Sequence, residues 1–148
     1  MIDLKETKRI KAELQEHPEN YQSIIESTDL AICITNQKGT FVAVNDNYVR
    51  TYGFSREELV GQPFTMVVPP DSRQSLKRYH DRFFVDKYEI LRRWVVQNKS
   101  GQDMEIFADA GYNDKIEGAP HKITLIQFMS NIGEQQKAAG DFANDQVG

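Results

Sequence analysis

Val44-Asn45-Asp46-Asn47-Tyr48, continued by Tyr52-Gly53-Phe54-Ser55-Arg56-Glu57-Glu58-Leu59-Val60-Gly61, is the stretch whose reading decides the fold. It starts where an apolar run ends. Asn45, Asp46 and Asn47 carry short polar side chains of the kind that accept the free N–H groups of a helix start. A short helix through Tyr52 is therefore predicted, with Gly53 suited to its exit. Ser55 and Glu58 have the spacing of a capping box, in which each side chain satisfies the other's backbone N–H. Gly61 and Pro63 stop that second turn of helix. Every residue in the stretch has a local structural explanation, so Glu58 reads as a cap and not as an acid catalyst.

Upstream lies a hairpin. Residues 30–35 are a compact apolar run of strand length, Asn36-Gln37-Lys38-Gly39 is a turn, and residues 40–44 are a second strand. Apolar residues at both alternate and adjacent positions call for cover on both faces. Before the hairpin, residues 19–27 carry Tyr21, Ile24 and Ile25 at helical spacing, and Pro18 breaks the chain ahead of them. Residues 3–16 form a charged helix whose large apolar positions are Leu4, Ile10 and Leu14. So thin a stripe covers little core, and this helix is expected to project or to pair with a second chain.

Downstream, Pro69-Pro70-Asp71 opens a longer helix with Asp71 as its cap, and Leu76, Tyr79, His80, Phe83 and Phe84 share one face of it. Residues 88–97 read as a strand and Asn98-Lys99-Ser100-Gly101 as a turn. Met104, Ile106, Ala108 and Ala110 alternate with Glu105, Phe107, Asp109 and Gly111, as in a half-buried strand. Residues 113–120 are a loop, 122–129 the closing strand, and 140–148 a frayed polar tail. Strands at both ends with helices between them imply an α+β fold, an antiparallel sheet with helices on one face.

Composition narrows the function. The chain has 148 residues, 18 basic against 22 acidic, and a net charge of −4. No basic excess is available to displace phosphate counterions, which argues against nucleic acid as a partner. The hydrophobic share of 39% suits one globular core. Apolar stretches fall far short of the about 20 residues that cross a bilayer, so a soluble, cytoplasmic chain with no membrane partner is expected. A single cysteine, Cys33, leaves no internal disulfide and no all-cysteine metal site. His17, His80 and His121 lie in a linker, a helix and a loop without metal-ligand spacing, and no nucleophile–histidine grouping or phosphate loop is legible.

The motifs at Val44 to Gly61 closely resemble the PAS (Per-Arnt-Sim) sensory-domain family, with its Asn after the second strand, Gly-aromatic-Ser, Glu-Glu-Leu and Gly. Pro69-Pro70-Asp71-Ser72-Arg73 and the Lys99-Ser100-Gly101 turn agree. The resemblance covers about residues 21–129. It implies a five-stranded antiparallel sheet in the order 2-1-5-4-3, short helices over one face, and an N-terminal flanking helix. Residues 1–18 are then the flanking helix, 19–130 the PAS domain, and 131–148 a polar exit segment.

The resemblance also implies a sensory or regulatory module in signal transduction, not an enzyme, that relays a small ligand or a partner by conformational shift or dimerisation. A ligand-free interaction and dimerisation module of the same fold is the alternative, with a haem-based gas or redox sensor and a small-pocket enzyme using His80 and a tyrosine as further, less favoured readings. A small ligand would lie between the helix face of Leu76, His80 and Phe83 and strands carrying Ile32, Ile34, Trp94, Val96, Ile106 and Leu125. A filled core is the plainer reading of the same stripe. The flavin–thiol adduct of light-oxygen-voltage relatives needs a cysteine where Gly61-Gln62-Pro63-Phe64 places Phe64, and is excluded. Haem through His80 is disfavoured, because the family's ligand comes nearer the helix start, at Ser75 and Leu76. A homodimer through the N-terminal helix and a signalling output partner are the remaining expectations. In signalling relatives the exit strand runs into an Asp-Ile/Val-Thr-Glu segment, and Asn131 and Gly133 replace its Asp and Thr here.

Overall fold

The computed structural model describes residues 3–132. Gly133 of the exit segment and the tail at 140–148 lie outside the described residues. Ten regular elements follow one another: α1 (Leu4–Glu16), α2 (Tyr21–Ile25), β1 (Ala31–Asn36), β2 (Phe41–Val44), α3 (Asp46–Tyr52), α4 (Arg56–Leu59), α5 (Arg73–Asp86), β3 (Arg92–Gln97), β4 (Asp103–Asn113) and β5 (His121–Asn131), with short 3-10 turns between. The strands form one antiparallel sheet in the order β2-β1-β5-β4-β3, the order the resemblance implies.

Asn45 is the junction of the fold. It is fully buried, and its carboxamide spends every donor and acceptor it has. Oδ1 accepts from Ile32 N–H and Tyr48 N–H, both at 2.9 Å, while Nδ2 donates to Ile25 O at 2.6 Å and Leu30 O at 2.8 Å. One side chain thus caps α3, closes the end of α2 and sets where β1 begins. The capping box of α4 is formed as the Ser55–Glu58 spacing predicts, and Gly53 ends α3 with φ of 80°.

Two layers of helix cover the sheet, one on each face. Along β1, Ala31 and Cys33 join the core under α3 and α4, whereas Ile32 and Ile34 join a second core on the other face with Ile10 and Leu14 of α1, Tyr21, Ile24 and Ile25 of α2, and Ile123 and Leu125 of β5. The expectation of a projecting α1 is corrected here. Its narrow stripe suffices because only one half of that face is apolar, and Ile10 and Leu14 are wholly buried against the chain's own strands. Polar ties complete the seat: Lys11 meets Asp109 at 2.8 Å, Asn113 Nδ2 donates to Leu14 O, and Asp3 N–H donates to Gln127.

Two boundaries differ from the sequence reading. The paired prolines make a 3-10 turn, Pro70–Ser72, so α5 starts after Ser72 and not after an Asp71 cap. At the far end Lys87 takes the left-handed conformation, φ 60°, with its ammonium over the Tyr112 ring. The chain then leaves α5 at an angle that keeps residues 88–91 irregular, and β3 begins only at Arg92.

Replacing Asn45 with Ala removes the side-chain partner of the Ile32 and Tyr48 N–H groups and of Ile25 O, and leaves Leu30 O with Asn47 Nδ2 alone. We expect a loss of about 3 kcal/mol or more of unfolding free energy, read as a lower urea midpoint at unchanged slope. A loss below about 1 kcal/mol, the worth of an ordinary cap, removes the junction role.

Candidate functional site

Between the inner face of the sheet and α3–α5 the packing leaves a cavity of about 80 Å³. Its floor is laid by strand alternation: Cys33 and Thr35 from β1, Trp94 and Val96 from β3, Ile106 and Ala108 from β4, and Lys122, Thr124 and Ile126 from β5. Register aligns the polar members, because Thr35 pairs with Lys122 and Lys122 with Tyr112. The roof comes from Tyr48 and Tyr52 of α3, Phe64, Val67 and Val68 of the connection, Leu76, Tyr79 and His80 of α5, and Glu89 of the irregular segment.

Phe64 owes its place to the β1–β2 turn. Its N–H donates to Gly39 O at 2.8 Å, and Thr40 bridges to Pro63. Gly39 has φ of 83°, and a Cβ there would stand 3.1 Å from the Phe64 ring, so only glycine fits the turn without strain. Phe64 in turn stacks on His80, centroids 4.8 Å apart, and Phe84 tilts against the imidazole at 5.1 Å.

His80 is buried. Its Nε2 pairs with Thr35 Oγ1 at 2.8 Å, while Nδ1 has no hydrogen-bond partner. Burial first, then the positive charges of Lys122 and Lys77, push its pKa down to about 3 against the opposing pull of Asp81, so the ring is neutral at physiological pH. Beside it Lys122 forms a 3.0 Å ion pair with Glu89 and lies 4.9 Å above the Phe83 ring. Burial likewise pushes the Cys33 thiol up to about 11 and raises Tyr48 and Tyr52. The cavity therefore has an apolar end, a hydroxyl- and imidazole-bearing end, and no thiolate to act as nucleophile.

Of the residues chosen from sequence for a pocket, Leu76, His80, Trp94, Val96 and Ile106 meet on this cavity. Phe83 is buried next to it, under Lys122. Ile32, Ile34 and Leu125 lie on the opposite face, in the core beneath α1. Cys33, Thr35, Lys122 and Thr124 take their place, because the inward parity of β1 and β5 belongs to the polar-bearing set. A haem does not fit: His80 Nε2 is engaged, the Phe64 and Phe84 rings pack against its imidazole, and the cavity is far below the about 300–1,000 Å³ of sites for drug-sized ligands. Among the described residues there is no cluster of three metal-ligating side chains, and no helix long and apolar enough to cross a membrane.

His80 sets an acid limit. Folded His80 resists protonation, whereas the unfolded chain takes up a proton near the ordinary value of 6.5. Its contribution to stability is thus full above that value and declines as pH falls, by up to about 1.4 kcal/mol per unit. His80→Gln, which cannot titrate, should flatten the decline of urea midpoints between pH 7 and pH 4.5 by one proton's worth. Identical slopes in both proteins would dissociate His80 from acid unfolding.

The PAS fold profile matches residues 19–110 of the chain. No curated protein matches it. Among solved structures, the PAS domain of a Desulfitobacterium hafniense protein is 17% identical, with a TM-score of 0.66 over 72% of this chain and 99% of that one. The PAS domain of Bordetella pertussis BvgS is 14% identical, with a TM-score of 0.63 over 88% and 98%. The PAS domain of the Cronobacter turicensis quorum-sensing receptor RpfR, in complex with C12:0, is 16% identical, with a TM-score of 0.60 over 72% and 99%. The profile match agrees with the five-stranded antiparallel sheet and its strand order, and the chain belongs to the PAS family, whose members are commonly sensory modules of signal transduction.

Proposed function

We propose that this PAS domain is a regulatory module, not a catalyst, that senses a small molecule held between the inner sheet face and α3–α5. The observation that carries this reading is a cavity lined in part by His80, whose buried Nδ1 has no hydrogen-bond partner. A buried polar atom without a partner is costly, and a ligand or water that reaches it recovers the cost. At 80 Å³, and roughly 10–15 Å³ for each water-sized occupant, the space suits a molecule of about five to eight non-hydrogen atoms.

The relay follows from the sheet. Thr35, Lys122 and Thr124 face the cavity, while their chain neighbours Ile34, Ile123 and Leu125 pack beneath α1. A ligand that shifts β1 or β5 therefore moves residues that seat α1, and it biases the strand that leads out at Asn131. The output is a population shift passed to a partner or an adjoining domain.

Trp94 is the single tryptophan and lines the cavity, so its fluorescence reports occupancy. Native mass spectrometry of freshly purified protein, followed by a thermal-shift screen of small metabolites, should find a molecule that raises the melting temperature and alters Trp94 emission. Leu76→Phe, which takes up part of the space without adding a second tryptophan, should weaken both effects. No retained molecule and no responsive compound would sink the sensor reading.

A dimerisation module is the second reading. It is favoured by exposed apolar side chains where α1 starts beside the end of β5: Leu4, Phe128 and Met129, the first two nearly half exposed. It predicts a dimer in sedimentation that Leu4→Glu with Phe128→Glu dissolves. A monomer at all concentrations rejects it.

A further inference from the structure

The polar end of the cavity carries a cation on the rigid sheet and its counterion on an irregular segment, and that asymmetry defines what can enter. Lys122 and Glu89 are the two charged side chains on the cavity wall. Both Glu89 oxygens lie 3.0 Å from Lys122 Nζ, and the side chains are 9% and 14% exposed. Lys122 is fixed: it lies in β5, which is flanked by β1 and β4, with Thr35 opposite it on one side and Tyr112 on the other. Glu89 is not. It sits between α5 and β3, flanked by Tyr88 and Ile90, which are 67% and 65% exposed, and its segment belongs to no helix or strand.

We propose that the ligand is a small carboxylate that replaces the Glu89 carboxylate on Lys122, with its short apolar body along Leu76, Trp94, Val96 and Ile106. This rests on the sensor reading above and names its ligand class. Breaking a buried ion pair is expensive because one charge stays unpaired. An exchange of carboxylates avoids that: Lys122 keeps a two-oxygen partner while Glu89 swings into water with its exposed neighbours. A neutral ligand offers no such replacement. His80 supplies a second donor. In the tautomer in which the Thr35 hydroxyl donates to Nε2, the proton of the neutral ring lies on Nδ1, the atom that has no partner, and Nδ1 donates to the incoming carboxylate. The exchange also gives the sensor a moving part, since expelling Glu89 frees the 88–91 segment from the sheet.

The test uses the full chain and two matched pairs, butanoate with butanamide and hexanoate with hexanamide, titrated by Trp94 fluorescence and followed by thermal shift. The acids should bind at least about ten-fold more tightly than their amides, the scale of a buried charge contact. Glu89→Gln removes the internal competitor and should tighten acid binding by about ten-fold, widening the preference of the protein for acid over amide. Lys122→Met should erase the preference for acids. The comparison of acid with amide on the unaltered protein needs no variant to fold. Amides that bind as well as acids, or a Glu89→Gln protein that binds acids no better than the parent, overturn the proposal and leave the sensor reading standing. If neither pair binds while a neutral compound moves Trp94 emission, the carboxylate class alone fails. If nothing moves Trp94, both readings fail.

Discussion

The carboxamide of Asn45 is the constraint on which the rest of the domain depends. Two acceptor lone pairs and two N–H groups leave it in four directions, to β1, to the start of α3, to the end of α2 and to the turn before β1. An aspartate would lose the two donors and bury a charge, and a serine would reach too few partners. Because the same side chain fixes the first strand and the first roof helix, Tyr48 and Tyr52 are held over Cys33, with their rings stacked 4.2 Å apart. The height of the cavity at that end is thus decided by a residue that does not line it.

The second constraint is alternation. A strand sends successive side chains to opposite faces, and β1 is apolar at Ala31, Ile32, Cys33 and Ile34 in a row. Such a strand is stable only with cover on both sides. The inner cover is α3–α5. The outer cover is α1 with α2, which explains why a helix with so few apolar residues is well seated: Ile10 and Leu14 fill a gap between Ile32, Ile34, Ile123 and Leu125. Burial of two such side chains contributes about 3–6 kcal/mol, enough to hold a helix whose remaining ties include the Lys11–Asp109 ion pair and hydrogen bonds from Asn113 and Gln15 to backbone carbonyls.

Legibility in the sequence followed these two constraints unequally. Caps act over three or four residues, so Asn45, Gly53 and the Ser55–Glu58 box could be read directly, and with them the family and the sheet order. The alternation of Met104, Ile106 and Ala108 was legible because polar residues mark the other face of β4. On β1 and β5 both faces are apolar, and period two separates the sets without saying which is inward. Ile32, Ile34 and Leu125 were accordingly assigned to the wrong face. A usable signal existed in Thr35, Lys122 and Thr124, polar residues of matching parity in strands too apolar to be solvent-facing. Glu89 carried no such signal, since its role arises only after Lys87 turns left-handed and breaks the expected strand.

These features converge on the polar end of the cavity. In the well-packed interior of a small domain, a lysine in the central strand is tolerated only with a counterion, and the counterion comes from the one irregular stretch between α5 and β3. A neutral histidine stands beside it because burial first, and then the same lysine, keep a second positive charge from forming there. The arrangement is electrically balanced yet mechanically uneven, with the cation built into the sheet and the anion borne by a segment whose other side chains face solvent. The same strand serves both faces: Lys122 and Thr124 of β5 line the cavity, while their neighbours Ile123 and Leu125 lie in the core beneath α1.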